Sequence, residues 1–276
     1  TPLLEIVTEP DFNSADEVVT FCNMLRDTCR HLGVTEGVMQ RGHMRFEPNI
    51  NLVIRRNGKT HKTPIVEIKN LNSFKAVHGA IVYERQRQLD EWLDTGVEMT
   101  PGTKSTRGWN DAKMVTFLQR EKEEAHDYRY FPDPDLPPVV VDDAWLDAVR
   151  REMPELPAAR RRRYIAAGVS EKDTDQLLAE PKVCAFFDGV LDAGVATKRA
   201  VALILNTAAK HANERACRVD QLGVSPQQIK GIADLLDANK ISSNAADELL
   251  GHCIDSDASA ESLAEQHSLL QVSDTG

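Results

Sequence analysis

Apolar and polar residues follow two different periods along this chain, and the change between them divides it near residue 142. Leu3-Leu4-Glu5-Ile6-Val7 reads as a short strand ending before Pro10, with Glu5 on the same face as Leu3 and Val7. Asp11 to Gly33 reads as a helix: Ser14 and Glu17 form a capping box, Val18, Phe21, Cys22, Leu25 and Leu32 make the stripe, and Gly33 is the stop. Met44 to Arg55 returns to period two, with Phe46, Ile50, Leu52 and Ile54 on one side and Arg45, Glu47, Asn49, Asn51 and Arg55 on the other. Pro48 donates no ladder hydrogen bond, so this strand belongs at an edge or beside a bulge. Asn57-Gly58 then signals a two-residue hairpin into the next strand.

In that next strand Ile65, Glu67 and Lys69 share one face, and Val66 and Ile68 the other. It runs into a helix from Ser73 to Asp94, N-capped by Asn72 or Ser73, with Phe74, Val77, Ile81, Leu89, Trp92 and Leu93 as apolar positions and Gly96 as the stop. Residues 97 to 110 read as a loop carrying Lys104, Thr106, Arg107 and Trp109. His126 to Pro138 is stiffened by prolines and sets Tyr128, Tyr130 and Phe131 around Arg129, as packing pegs, as an active-site rim or as a surface that binds a base; Val139 to Val141 ends the sheet. Beyond it, helices are predicted at 144–153, 158–167, 170–179, 181–193, 197–215, 226–238, 242–250 and 259–267. The fold class is therefore α+β. A mainly antiparallel sheet with flanking helices occupies 1–142, an all-helical part 143–223, and a further short helical unit begins at 224 and runs to 276.

Composition narrows the class. With 276 residues and 41% hydrophobic content the chain can bury more than one core, and it contains no apolar run long enough for a membrane span and no signal peptide. Its cysteines, Cys22, Cys29, Cys184, Cys217 and Cys253, form no close pair of the kind zinc sites use and read as buried thiols. The formal charge of −10 excludes wholesale coating of nucleic acid but leaves room for local basic faces such as Arg160-Arg161-Arg162-Arg163.

Candidate chemistry gathers on one sheet face. Glu5, Arg45, Glu47, Asn49, Asn51, Glu67 and Lys69 can all project from it, beside the exposed amides that open the Ser73 helix. Such a face suits a metal-bound phosphate; the plain alternative is a solvated outer surface.

Three motifs carry a family resemblance: Thr1-Pro2-Leu3-Leu4-Glu5-Ile6-Val7-Thr8-Glu9-Pro10-Asp11; Val66-Glu67-Ile68-Lys69-Asn70-Leu71-Asn72-Ser73-Phe74; and Asp127-Tyr128-Arg129-Tyr130-Phe131-Pro132 with Pro134-Asp135-Leu136-Pro137-Pro138. Together they resemble the B subunit (GatB) of the bacterial and organellar tRNA-dependent amidotransferases, over essentially the whole chain. The resemblance implies the second half of a catalytic cradle domain (1–142), a helical domain (143–223) and the start of a YqeY-like tail domain that holds tRNA (224–276). The opening without an initiator methionine and the ending at Gly276 agree with a segment of a longer protein.

The resemblance also implies a carbon–nitrogen ligase that uses ATP and Mg²⁺. The side-chain carboxylate of Glu-tRNA(Gln) or Asp-tRNA(Asn) is phosphorylated and then amidated by ammonia from a glutaminase subunit. The implied partners are that glutaminase/amidase subunit, the small third subunit of the heterotrimer and the mischarged tRNA, in the cytoplasm or an organellar matrix and not at a membrane. In the family the glutamate matching Glu5 is a metal ligand. From the sheet-face reading, Glu67 joins it as a metal ligand, Glu67, Lys69 and Arg45 are the catalytic candidates, and Asn70, Asn72, Ser73 and Arg107 the nucleotide-binding ones. Arg160, Arg161, Arg162, Arg163 and Arg129 are the candidates for tRNA. The chain departs from the family at Gln40-Arg41-Gly42-His43, where relatives have an acidic Gly-Ser turn, and at Phe46-Glu47, where they have Cys-Asp. The competing reading is a non-catalytic tRNA-binding or assembly module.

Overall fold

The structure, a computed structural model, describes residues 3–121 and 134–271. The chain divides into two compact units, Thr1–Pro154 and Glu155–Gly276. In the first, Ser14 caps α1 (Ala15–His31) by accepting from the Glu17 amide at 3.2 Å. Four strands form one sheet in the order β1 (Asn49–Ile50), β4 (Val66–Lys69), β5 (Ser105–Asn110), β6 (Val115–Glu121), while β2 (Val53–Arg56) and β3 (Lys59–Lys62) pair separately as a hairpin. The sheet is antiparallel-rich, as the sequence predicts, but β4 and β5 run parallel. A parallel pair needs a crossover, and α2 (Phe74–Thr95) supplies it. The predicted hairpin turn is present, with Asn57 and Gly58 both left-handed at φ 53° and 73°, but it leads into β3 and not, as the sequence suggests, into the strand that holds Glu67, which pairs with β1 instead.

Val66 and Ile68 of β4, Val77, Ala80 and Ile81 of α2, Trp109 of β5 and Ala15 of α1 form the core of this unit. The buried face of α2 differs from the predicted stripe: it runs through Val77, Ile81, Glu84, Gln88 and Trp92, and Leu93 is exposed.

Four further expectations are corrected. Leu3 to Val7 forms no strand and is exposed, since no neighbouring strand among the described residues satisfies its backbone. The single strand from Met44 to Arg55 is two, because the chain leaves the sheet after Ile50 and Leu52 donates instead to the Thr63 hydroxyl at 2.7 Å. Residues 97 to 110 are not all loop, for Ser105–Asn110 is a central strand whose Gly108 and charged Arg107 hide its period. Val139 to Val141 is exposed and belongs to no sheet. The aromatic segment around Arg129 lies outside the described residues.

Helix α3 (Asp143–Glu152) follows, capped by Asp142, with no buried residue. The second unit holds α4 (Pro157–Ala166), α5 (Glu171–Leu178), α6 (Pro181–Asp192), α7 (Thr197–Ala202), a π-helical stretch Leu203–Ala208, α8 (Ala209–Glu214), α9 (Pro226–Asp237), α10 (Ser243–Cys253) and α11 (Ala260–Gln266). One core spans all of it, from Tyr164 and Phe187 through Ile204 and Ile229 to Leu249, Leu250 and Ala264. No described helix is long and apolar enough to cross a membrane.

Candidate functional site

Because Val66 and Ile68 face the core, β4 turns Glu67 and Lys69 to the side of the sheet away from α2. On the β1 side Asn49 pairs with Glu67, and the Ile68 amide donates to Pro48 at 3.0 Å, which brings Glu47 alongside Lys69. Lys69 Nζ donates to Glu47 Oε2 at 3.0 Å and lies 3.2 Å from Glu67 Oε1. On the β5 side Thr106, opposite Glu67 in register, donates its hydroxyl to Glu67 Oε2 at 3.2 Å. Glu67 is thus engaged through each oxygen by a different strand. Burial pulls the Lys69 ammonium down, but the hydrogen bonds and charges of Glu47 and Glu67 outweigh it and hold its pKa above the ordinary lysine value.

The connection to α2 starts at Asn70, exposed and left-handed at φ 67°, a conformation asparagine tolerates better than most residues. Leu71 is buried, Asn72 is exposed, and Ser73 caps the helix, its hydroxyl accepting from the Ala76 amide at 3.0 Å. The first turn of α2 contains no acidic residue, so the positive end of the helix is uncompensated from within. Arg45 is exposed on the irregular segment that leads into β1.

Two of the predicted residues stand elsewhere. A register shift between Thr106 and Arg107 leaves Gln119 of β6 as the extra residue in the β5–β6 pairing, and Arg107, opposite Ile68 in register, projects toward α2 on the opposite side of the sheet from Glu67 and Lys69. There it donates to the Thr116 hydroxyl at 2.9 Å and lies 3.6 Å from Glu84 Oε2. Burial first, and Arg87 second, pull the Arg107 pKa down against the opposing charge of Glu84. Glu5 lies in the exposed opening segment, away from any strand. Among the described residues no group of three or more His, Cys, Asp and Glu side chains is placed to hold a metal.

Sequence reasoning missed Thr106, hidden in an apparent loop, and a buried polar line beneath the sheet. Glu84, fully buried, accepts from Arg87 Nε at 2.9 Å and from the Thr116 hydroxyl at 2.8 Å. Gln88 donates to the Ile50 carbonyl at 3.1 Å and accepts from the Thr63 hydroxyl at 2.5 Å. Continuing the Val77, Ile81 spacing by three and four residues lands on Glu84, Gln88 and Trp92, which was the available signal.

The arginine run lies on α4 in the second unit. Arg160 is bonded to Glu155 at 3.2 Å, Arg161 pairs with Asp175, and Arg163 bonds Glu155 at 2.6 Å and Asp188 at 3.0 Å. Arg162 alone of the four is exposed with no partner among the described residues.

A family profile described as "GatB/GatE catalytic domain" matches residues 1–147 of the 276. The chain belongs to the GatB family. A second GatB profile, described as "GatB domain", matches residues 185–276. The chain is similar to the B subunit of the aspartyl/glutamyl-tRNA(Asn/Gln) amidotransferase of Borreliella burgdorferi (strain ZS7), 38% identical over 275 residues that make up 99% of this chain and 57% of that protein. The B subunit of the same description from Rhodopirellula baltica is 37% identical, over 99% of this chain and 56% of its own length. The chloroplastic/mitochondrial glutamyl-tRNA(Gln) amidotransferase B subunit of Physcomitrium patens is 37% identical, over 99% of this chain and 48% of its own. The chain therefore spans about half the length of the curated GatB relatives it matches.

Proposed function

We propose that this chain forms part of the B subunit of a tRNA-dependent amidotransferase, in which the side-chain carboxylate of a tRNA-bound glutamate or aspartate is phosphorylated from ATP and then amidated by ammonia. The observation that carries this reading is Glu67, held by Lys69 and Thr106 next to the uncompensated start of α2, within the segment that matches the catalytic-domain profile.

The residues suit ATP and Mg²⁺ in kind. Glu67 and Glu47 offer the carboxylate oxygens a hard divalent cation takes, and Mg²⁺ characteristically completes its shell with water and phosphate oxygens. When bound, the metal supplies charge neutralisation for phosphoryl transfer. Lys69 presents an ammonium beside both carboxylates, so it can orient a phosphate as a point charge. The first amides of α2 and the exposed Asn72 add donors at the same end of β4. Thr106 fixes one Glu67 oxygen and leaves the carboxylate's orientation defined. Glu5 and Arg45 belong to this reading as further ligands brought to the site in the full-length protein.

The test is ATP-dependent amidation of Glu-tRNA(Gln) and Asp-tRNA(Asn) by the full-length protein assembled with its glutaminase and small subunits. Glu67→Gln and Lys69→Met should each lower kcat by about 100-fold or more, on the scale of removing one electrostatic contact to a transferring group. Unchanged turnover in both variants would remove these residues from the chemistry.

A further inference from the structure

The β2–β3 hairpin is a local reversal of the charge of the whole chain. The chain carries −10, yet Val53 to Lys62 contains Arg55, Arg56, Lys59 and Lys62 and no carboxylate. All four cations are exposed. Arg55, Lys59 and Lys62 have no ion-pair or hydrogen-bond partner among the described side chains, and Arg56 lies over the Trp92 ring at 5.9 Å. The one carboxylate at the hairpin, Glu98, is taken by His61 at 2.5 Å. This contrasts with the arginine run on α4, where Glu155, Asp175 and Asp188 occupy Arg160, Arg161 and Arg163.

The strand register sharpens the point. Arg56 stands directly opposite Lys59, a like-charge cross-strand pair that costs stability unless an anion lies between the two. Arg55, opposite Thr60, and Lys62, opposite Val53, project from the other side of the ribbon. The turn between the strands is the rigid left-handed pair Asn57-Gly58, so both sets of cations are carried on a preformed ribbon. No aromatic residue is exposed on it to stack a base, and Val53 is its one exposed large apolar side chain. An acidic protein partner would need a larger apolar anchor than Val53 alone; a phosphodiester backbone needs only spaced cations.

From this we propose that the β2–β3 hairpin is a sequence-independent contact for the phosphate backbone of RNA. The inference rests on the reading that the protein handles tRNA, and it names the surface that does so. Arg55, Lys59 and Lys62 neutralise phosphates, and the Arg56–Lys59 pair is relieved when one lies between them.

The experiment is equilibrium binding of uncharged tRNA to the full-length protein across salt concentrations. It compares the unaltered protein with the Arg55→Ala/Lys59→Ala/Lys62→Ala triple variant and with Thr60→Ala on the same ribbon; thermal melting confirms that each is folded. The triple variant should lower the slope of log affinity against log salt by about 2 to 3, and weaken binding about tenfold or more at low salt. Thr60→Ala should do neither. An unchanged slope in the triple variant, with the unaltered protein still binding tRNA, overturns the hairpin contact and leaves the amidotransferase reading standing. Failure to assemble with the other two subunits, without a change in tRNA binding, also overturns it, in favour of an acidic protein partner. Absence of tRNA binding by the unaltered protein removes both.

Discussion

Glu84 on α2 and Thr116 on β6 share a 2.8 Å hydrogen bond in the interior of the first unit, with Arg87 and Arg107 on either side of the same carboxylate. The sheet and its crossover helix are therefore joined by charge as well as by apolar packing. A buried carboxylate between two guanidiniums is tolerated only while all partners stay in place.

Glu84→Ala should destabilise the first unit by about 3 kcal/mol, because it leaves the half-buried Arg107 without its counter-charge, Arg87 with Glu91 alone, and the Thr116 hydroxyl without its acceptor. Glu84→Gln, which keeps the Thr116 contact, should cost less. Urea denaturation followed by near-ultraviolet circular dichroism measures both, and equal costs would show that hydrogen bonding and not charge holds this junction.

Lys69→Met should behave in the opposite way: little loss of stability, about 1 kcal/mol or less for a part-exposed ion pair, together with a large loss of turnover. Since its pKa is raised in the folded state, the stability Lys69 contributes is complete below the ordinary value of 10.5 and is lost as pH rises through the elevated one. A stability profile taken from neutral pH to alkaline pH should flatten in Lys69→Met relative to the unaltered protein.

The second unit should weaken in acid. Hydrogen bonds from Arg163 hold the Glu155 carboxyl below its ordinary 4.5, and those from Lys210 hold Asp247 below 3.8. Both groups are depressed, so their contribution is complete above the ordinary values and is lost as pH falls through the lowered ones. Urea midpoints measured from about pH 6 to about pH 3 should fall less steeply in Glu155→Gln than in the unaltered protein.

Within the arginine run, Arg163→Ala should destabilise the second unit by about 1 kcal/mol, since it leaves Glu155 and Asp188 with Arg160 as their one remaining arginine, whereas Arg162→Ala should leave stability within about 0.5 kcal/mol. If RNA is bound along α4, Arg162→Ala alone should change the salt dependence of binding without changing the melting temperature.

Much of the helical organisation was legible in the sequence. Each predicted helix after residue 142 has a counterpart, because Pro at the starts of α4, α6 and α9 and serine caps at α5, α10 and α11 are local signals. So was the Glu67–Lys69 face, which rests on simple alternation. What escaped depends on partners distant in sequence. Thr106 reads as loop until β4 and β6 flank it, and Arg107, next along the same strand, falls on the Ile68 side of the sheet. Leu93 fits an apolar count on α2, but Glu84 and Gln88 take the buried face because Arg87, Thr116 and Thr63 await them.

Gln88 has one more effect. Its amide reaches the Ile50 carbonyl, and its carbonyl accepts from Thr63, whose hydroxyl in turn receives the Leu52 amide. Where the chain swings out of the sheet, a helix side chain and a threonine thus supply part of the hydrogen bonding that the ladder no longer does. That couples the order of assembly: Leu52 and Thr63 bond each other through the Leu52 carbonyl and the Thr63 amide, but the Gln88 contacts to Ile50 and Thr63 form only when α2 is docked. In hydrogen exchange the Leu52 amide should open together with α2, and in Gln88→Leu it should exchange ahead of it.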